Sequence, residues 1–416
     1  MPRVPRSETP GERRRTTSPL VGRVVETEIE RIVPGGAGLA HAAGRTLFVG
    51  LAAPGDRVRV RIERVTGKVA FASIVEVLSP GPGRVEPPCS YIGRCGGCDF
   101  QQVGYEAQLE AKVGIVRDCL RRIAGTEPPA EIPMLPSPDP WAYRTRAEWH
   151  HDPARRRLGY LARDSGRVVD VAACPIAAPA LNAALAGLRD RLASGMLPGD
   201  VREVRAAAGD DAVGLVPALD GQPPAELART VAGERYRFDA ECFFQANAAL
   251  LEPLVAEALR FAPPVDASSP GPALDLYCGV GLFTLPLARR FAEVVGVESH
   301  RAAAAYAARN LANAGLGNAR IDAVAVEPWL SRHAALAPVA FLLLDPPRVG
   351  AGAEVVAGIL ALRPTRIVYV SCDPATLARD LRLLLAGGYR LERVAALDLF
   401  PQTHHVETVA HLARAS

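Results

Sequence analysis

Lysine is almost missing from this chain: Lys68 and Lys112 are the only two among 48 basic residues. Alanine is abundant, so the arginine excess reads as the codon bias of a GC-rich genome. Aromatic residues are also scarce, at 6% of 416 positions, and the core must be built largely from aliphatic side chains. With 49% hydrophobic content there is enough material for two or three domains, which excludes wholesale disorder. No run approaches the roughly 20 uncharged apolar residues that cross a bilayer. The opening MPRVPRSETPGERRR has no apolar stretch for a signal peptide either. A cytoplasmic protein with no membrane partner is expected. The net charge of +3 is bland, but residues 1–80 carry +5 and the remainder −2. A polyanionic partner should therefore be met at the N-terminal end.

Residues 1–18 lack apolar periodicity and read as a disordered basic tail. Residues 19–79 are short alternating runs broken by glycine, the pattern of a small OB-like β-barrel of about five strands. Within APGDRVRVRIERV, Val58, Val60 and Ile62 fall on one face and Arg57, Arg59 and Arg61 on the other. Such a row of guanidinium groups suits an oligonucleotide; a solvated strand face is the bland alternative. The composition of SPGPGRVEPP (79–88) is that of a linker. A central α+β domain is expected over 80–240. It opens on a helix from Tyr105 to Ile123 with Leu109, Val113, Val116 and Leu120 on one stripe. From 241 to 416 apolar strands alternate with helical segments, the signature of a doubly wound, Rossmann-like sheet. The fold class expected is thus multidomain α/β.

PALDLYCGVGLFTLPLARRF (272–291) is a strand, a glycine turn and a helix in succession. Gly279 and Gly281 let the backbone approach a ligand. Glu298 closes the next apolar run, where a carboxylate accepts from both ribose hydroxyls of a nucleoside cofactor. A pyrophosphate would prefer a fuller G-x-G-x-x-G loop, and Asp275 would repel it. The cationic S-adenosyl-L-methionine fits better than a dinucleotide.

Two more strand tips carry reactive groups. RIVYVSCDPATLARDL (366–381) delivers Cys372 in front of a helix N-terminus, which favours a thiolate. FLLLDPPRVG (341–350) delivers Asp345 to the same edge, and LFPQTHHVETVAHL (399–412) places Glu407 at a strand start beside His404 and His405. A thiolate and a carboxylate at a methyl-donor site suit one reaction. Carbon 5 of uracil is a poor nucleophile until a thiolate adds to carbon 6, and after methylation its proton must be removed by a base. Cys372 and Glu407 fill those roles. A packing cysteine, a surface carboxylate and a histidine base are the competing readings. A DPP motif followed by an aromatic would instead suggest amino-group methylation; Arg348 stands there.

Cys89, Cys95 and Cys98 lie in a glycine-containing loop, and Cys174 follows at a distance. In a reducing compartment four such cysteines are metal ligands rather than disulfides. Zinc sites often pair two C-x2-C knuckles, so a compact trio with a distant fourth favours an iron–sulfur cluster, with zinc as the alternative.

DLYCGVGLFTLPLA, LDPPRVG, IVYVSCDPATLARD and FPQTHHVETV resemble the successive motifs of the RNA uracil-5-methyltransferases. ECFFQAN (241–247) and CSYIGRCGGCDFQQVGYEAQL (89–109) extend the likeness, and the barrel is similar to a TRAM domain. The resemblance implies Cys372 as nucleophile and Glu407 as proton acceptor. It also implies Gln245, Tyr277, Glu298 and Asp345 as methyl-donor contacts and a [4Fe-4S] cluster on Cys89, Cys95, Cys98 and Cys174. Two positions depart: Leu282 stands where the family often has Asn, and Ala325 where a polar residue contacts adenine. The expected activity is methylation of a uridine in structured RNA, 23S rRNA ahead of tRNA, by a monomer. A non-catalytic RNA-binding iron–sulfur protein is the rival, and it leaves Cys372 and Glu407 unexplained.

Overall fold

The structure is a computed structural model that describes residues 18–163, 165–219, 225–264, 271–333 and 339–415. The tail expected over 1–18 lies, Ser18 apart, outside the described residues.

Alternation and glycine turns build six strands at the N-terminal end: β1 (Val24–Glu28), β2 (Arg31–Ile32), β3 (Gly38–Ala42), β4 (Arg45–Gly50), β5 (Arg57–Thr66) and β6 (Val69–Ser79), ordered β1-β5-β6-β4-β3-β2. Val58, Val60 and Ile62 are fully buried with Leu47 and Val49, and the β5 arginines face outward as the alternation requires. The arginine row is nevertheless not free. Glu26 on β1 and Glu76 on β6 sit directly opposite Arg59 and pair with it at 3.0 and 2.5 Å, and Arg57 reaches Glu26 at 3.6 Å. Arg61 alone in the row has no carboxylate partner among the described residues.

The segment after β6 is not a free linker. Asp56, fully buried, accepts from Ala53 N (2.7 Å), Gly81 N (2.9 Å) and Arg84 Nη1 (2.5 Å). A side chain on Gly81 would come within 2.1 Å of Pro54 O.

Helix α1 (Tyr105–Cys119) continues into a π-helical turn, Leu120–Ala124. Its buried face is rotated from the expected stripe: Gln108, Lys112, Ile115, Val116 and Cys119 point inward, while Leu109 and Val113 are half-buried. This helix packs with the C-terminal sheet, and β7 (Met134–Leu135) joins that sheet as its last strand. Residues 80–240 are therefore not one unit. The central body proper is a five-stranded sheet, made of β8 (Arg146–Asp152), β9 (Arg157–Leu161), β10 (Val168–Asp170), β11 (Glu203–Ala208) and β12 (Val213–Val216). Helix α2 (Pro179–Ala193) covers it with Leu181, Leu185 and Leu188 against Trp149, Leu158 and Val204. The hairpin β13 (Leu227–Val231) and β14 (Glu234–Phe238) packs on the C-terminal core, so that core begins before 241.

The C-terminal body runs α3 (Leu251–Ala258), β15 (Ala273–Leu276), α4 (Thr284–Ala288), β16 (Val294–Val297), α5 (Arg301–Asn313), β17 (Ala319–Asp322) and α6 (Val326–Arg332). It continues with β18 (Phe341–Leu344), α7 (Gly352–Leu362), β19 (Arg366–Ser371), α8 (Pro374–Ala386), β20 (Tyr389–Leu397) and β21 (Glu407–Arg414). The sheet order is β17-β16-β15-β18-β19-β21-β20-β7. β15, β16 and β18 are buried along their whole length, as strands covered on both faces must be. The order reverses between β15 and β18, and ligands bind in such sheets at the carboxyl edge beside that reversal.

Candidate active site

The parallel register fixes the site. Leu276, Leu344 and Tyr369 lie abreast on β15, β18 and β19, so the residues that follow these strands emerge along one edge. After β15 the chain turns with Tyr277, Gly279 and Gly281 all at positive φ (64°, 56° and 93°). Gly279 N donates to Glu298 Oε2 at 2.9 Å, and His300 N donates to Glu298 Oε1 at 2.6 Å. The carboxylate expected at the ribose is thereby held at the end of β16. Asp275 is fully buried below the turn and accepts from Thr284 Oγ1 at 2.5 Å, leaving Oδ1 unpartnered. Burial pushes its carboxyl up to about 8, with Asp345 and Glu298 adding to the shift against the Thr284 hydrogen bond.

Gln245 donates to Asp345 Oδ2 at 3.3 Å, and its own Oε1 is buried without a partner. Burial holds Asp345 up to about 7. Leu282 is buried in the core, with its carbonyl accepting from Tyr236 OH at 3.1 Å. Ala325 precedes α6 as an N-cap with no side-chain hydrogen bond. These departures are thus filled by packing and by backbone.

Ser371 pairs with Thr408 across β19 and β21, so the next positions on the two strands, Cys372 and Glu407, face each other at the carboxyl edge. Cys372 is half-buried. Burial pushes its thiol up to about 12, with Glu407, Asp345 and Asp373 adding and Arg348 opposing. These surroundings oppose the thiolate expected from the helix N-terminus. Asp373 already caps α8, accepting from Ala375 N (2.8 Å) and Thr376 N (3.0 Å), which satisfies the donors a thiolate would have used.

Glu407 is 1% exposed and both its carboxylate oxygens lack a partner among the described residues. Burial raises it well above the usual carboxyl range, Asp345 adding to the effect and Arg348 opposing it. The two neighbouring histidines have different surroundings. Burial, His404 and Arg348 lower His405 to about 3, and His404 Nδ1 is engaged by Asp99 at 2.5 Å. Arg348 is the residue that sequence reasoning underused: its charge acts on Cys372, Glu407 and His405 together. Only its place three residues after Asp345 hinted at this.

The other four cysteines meet elsewhere. Cys89, Cys95, Cys98 and Cys174 line one cavity of about 120 Å³ with Gln101, Arg144 and Tyr160. The loop is held on the central sheet by Gly96 N to Leu161 O (3.0 Å) and by Arg163 Nη2 to Cys98 O (3.0 Å). Asn182 of α2 fixes Cys174 by bonds at 2.9 and 3.0 Å. Among the described residues the metal-ligand atoms that crowd within 4.8 Å of one another are those of Glu148, His150 and Glu203. No three of the four cysteine sulfurs meet that limit.

Comparison with known proteins agrees with this arrangement. Residues 228–415 match the tRNA (uracil-5-)-methyltransferase family and residues 20–75 the TRAM domain. The chain is 36% identical to the 23S rRNA (uracil(1939)-C(5))-methyltransferase RlmD of Pseudomonas putida, over 95% of each chain. It is 35% identical to an uncharacterized RNA methyltransferase of Thermosynechococcus vestitus, over 94% of this chain and 98% of the other. The solved structure of Pyrococcus abyssi tRNA (uracil-54, C5)-methyltransferase in complex with S-adenosyl-L-homocysteine superposes with a TM-score of 0.70, covering 93% of this chain and 100% of that one at 24% identity, a likeness of fold. With these likenesses over nearly its whole length, the chain belongs to the RNA uracil-5-methyltransferase family.

Proposed function

We propose that this protein transfers the methyl group of S-adenosyl-L-methionine to carbon 5 of a uridine in structured RNA, with 23S rRNA as the substrate. The observation that carries the reading is the opposition of Cys372 and Glu407 beside the glycine turn, with unpartnered buried oxygens on Gln245, Asp275 and Glu407. Such oxygens suit a ligand that brings an ammonium, a sulfonium and hydroxyl donors. Glu298 is the ribose acceptor; Gln245, Tyr277 and Asp345 are the other contacts.

In the reaction Cys372 gives its proton to solvent and its sulfur adds to carbon 6, making carbon 5 an enolate carbon; carbon 5 takes the methyl group as the methyl–sulfonium bond breaks and S-adenosyl-L-homocysteine leaves. Glu407 then accepts the carbon 5 proton, the carbon–sulfur bond breaks, and Cys372 leaves as thiolate while the ring double bond returns. Glu407 must be ionised for this step. A positive charge next to Asp345, with Arg348 near Cys372, offsets the burial that holds the carboxyl protonated. Glu407→Gln should let methylation proceed and block release, so that a covalent protein–RNA adduct accumulates on a denaturing gel.

Cys89, Cys95, Cys98 and Cys174 are the proposed ligands of a [4Fe-4S] cluster. A compact trio joined by a distant fourth cysteine, all lining one cavity, suits a cluster better than the paired C-x2-C knuckles of many zinc sites. The cluster supplies structural cross-linking here, since the methylation scheme needs no electron transfer. Mass-spectrometric mapping of 5-methyluridine in 23S rRNA and tRNA from cells with and without the gene tests the substrate. Loss of one 23S rRNA site, restored by the intact chain, is the expected result, and loss confined to tRNA would redirect the assignment.

A further inference from the structure

Nothing polar holds the head of Glu407: among the described residues neither oxygen has a hydrogen-bond partner. The position of this carboxylate is therefore set by its backbone, and that backbone has two anchors. One is β21 itself, paired with β19 and β20. The other is the segment 398–405 leading into it, which is tied to residues that lie almost three hundred positions earlier.

The ties are specific. Lys112 Nζ, fully buried, donates to Asp398 Oδ1 (2.5 Å) and to Phe400 O (3.0 Å). Tyr143 OH donates to Pro401 O at 2.9 Å. Gln402, a non-glycine residue at φ +68°, is clasped by Gln108, whose Nε2 donates to Gln402 Oε1 and whose Oε1 accepts from Gln402 N, both at 3.0 Å. Its carbonyl accepts from Asp99 N (3.1 Å) and Phe100 N (3.0 Å). Nearest to Glu407 comes Asp99 itself, 7% exposed, whose carboxylate accepts from His404 N at 2.9 Å and meets His404 Nδ1 at 2.5 Å. His404 in turn packs on His405 with ring centroids 4.1 Å apart. The barrel closes the same corner: a side chain on Gly36 would lie 2.7 Å from His404 Cβ and 3.0 Å from Asp99 Oδ2.

We propose that Asp99 is a positioning residue for proton removal: it follows Cys98 in the chain, anchors His404 and so sets where Glu407 meets carbon 5. The four-cysteine loop and the proton acceptor are then mechanically one piece. Displacing Glu407 by a fraction of an ångström leaves addition of Cys372 and methylation almost untouched, because Cys372 is placed by β19 and α8. Proton removal, the last step, is what slows. This rests on Glu407 being the proton acceptor, as proposed above.

The test compares Asp99→Ala and Glu407→Gln in the full chain purified anaerobically, with the absorbance of the bound iron recorded. Single-turnover reactions with the RNA substrate give the rate of adduct formation and the rate of its decay. For Asp99→Ala the adduct should form at a rate near that of the unaltered protein and decay on the order of ten- to a hundredfold more slowly, with iron absorbance retained. Asp99→Asn, which keeps an acceptor for His404 N, should recover part of the decay rate. A merely structural Asp99 would lower formation and decay together; that outcome, or unchanged decay, overturns the proposal. If Asp99→Ala does not fold, His404→Ala breaks the same link from the other side, with the same expectation and the same overturning result. Glu407→Gln separates the two levels. If it traps adduct while the Asp99 and His404 variants do not, the positioning role alone fails; if it traps none, the assignment of Glu407 fails and the positioning role with it.

Discussion

Cys98 and Cys372 are both pushed up to about 12 by burial, yet the charges around them differ in sign. Next to Cys98 the other polar groups are Gln101 and Arg144, which favour the anionic sulfur, while the neighbouring Cys174 and Cys95 oppose it. Around Cys372 stand three carboxylates, on Glu407, Asp345 and Asp373, against the single guanidinium of Arg348. One cavity brings four cysteines together beside a guanidinium. The other holds a lone sulfur whose ionisation its carboxylates oppose. Burial is common to the two cysteines, and the sign of the neighbouring charges is what differs.

The contrast can be broken in four places. Cys372→Ala removes the nucleophile and should cut methyl incorporation by a factor on the order of 10⁴ or more, with iron absorbance unchanged; residual turnover near that of the unaltered protein would remove Cys372 from the mechanism. Cys98→Ser should do the reverse in kind. Iron absorbance and stability should fall together, by about 3 kcal/mol in denaturant unfolding. Loss of the absorbance with stability intact would refute the structural role.

A smaller effect is expected from Asp275→Asn in the ligand-free protein. The folded state holds the Asp275 proton up to about 8 against an ordinary 3.8, so between those values it binds more protons than the unfolded chain and stability falls as pH rises. Asp345, at about 7, acts with the same sign. The substitution should flatten that slope by on the order of 1 kcal/mol per pH unit, read from unfolding midpoints across the range. The smallest effect belongs to the barrel. Arg61→Ala should reduce the salt dependence of RNA binding by about one unit of log–log slope, whereas Arg59→Ala, whose charge is already matched by Glu26 and Glu76, should leave it nearly unchanged.

The doubly wound sheet, the barrel and the strand-tip positions of Cys372 and Glu407 were legible because they are written locally: an apolar run, a glycine turn, a polar side chain at the tip. Cys372, Glu407, Glu298 and Asp345 all lie at the edge where strand periodicity put them. The buried face of α1 was misread because Gln108 and Lys112 look like surface residues; they are buried only because Gln402 and Asp398 arrive from the far end of the chain. For the same reason SPGPGRVEPP passes for a linker until Asp56 is seen to grip it. Partners hundreds of positions apart leave no mark in a window of twenty residues, and the Asp99–His404 link is of that kind.

The two-residue strand Met134–Leu135 has a consequence for how the molecule is made. It lines the outer side of Tyr389–Leu397, so a piece emerging early from the ribosome waits for the last portion of the chain before it can dock. Vectorial synthesis cannot finish the C-terminal sheet by itself. A fragment cut at the start of the uracil-methyltransferase match would present Tyr389–Leu397 as an uncovered edge, open to pairing with other copies. The boundary drawn by sequence similarity is thus not one along which the protein can be divided.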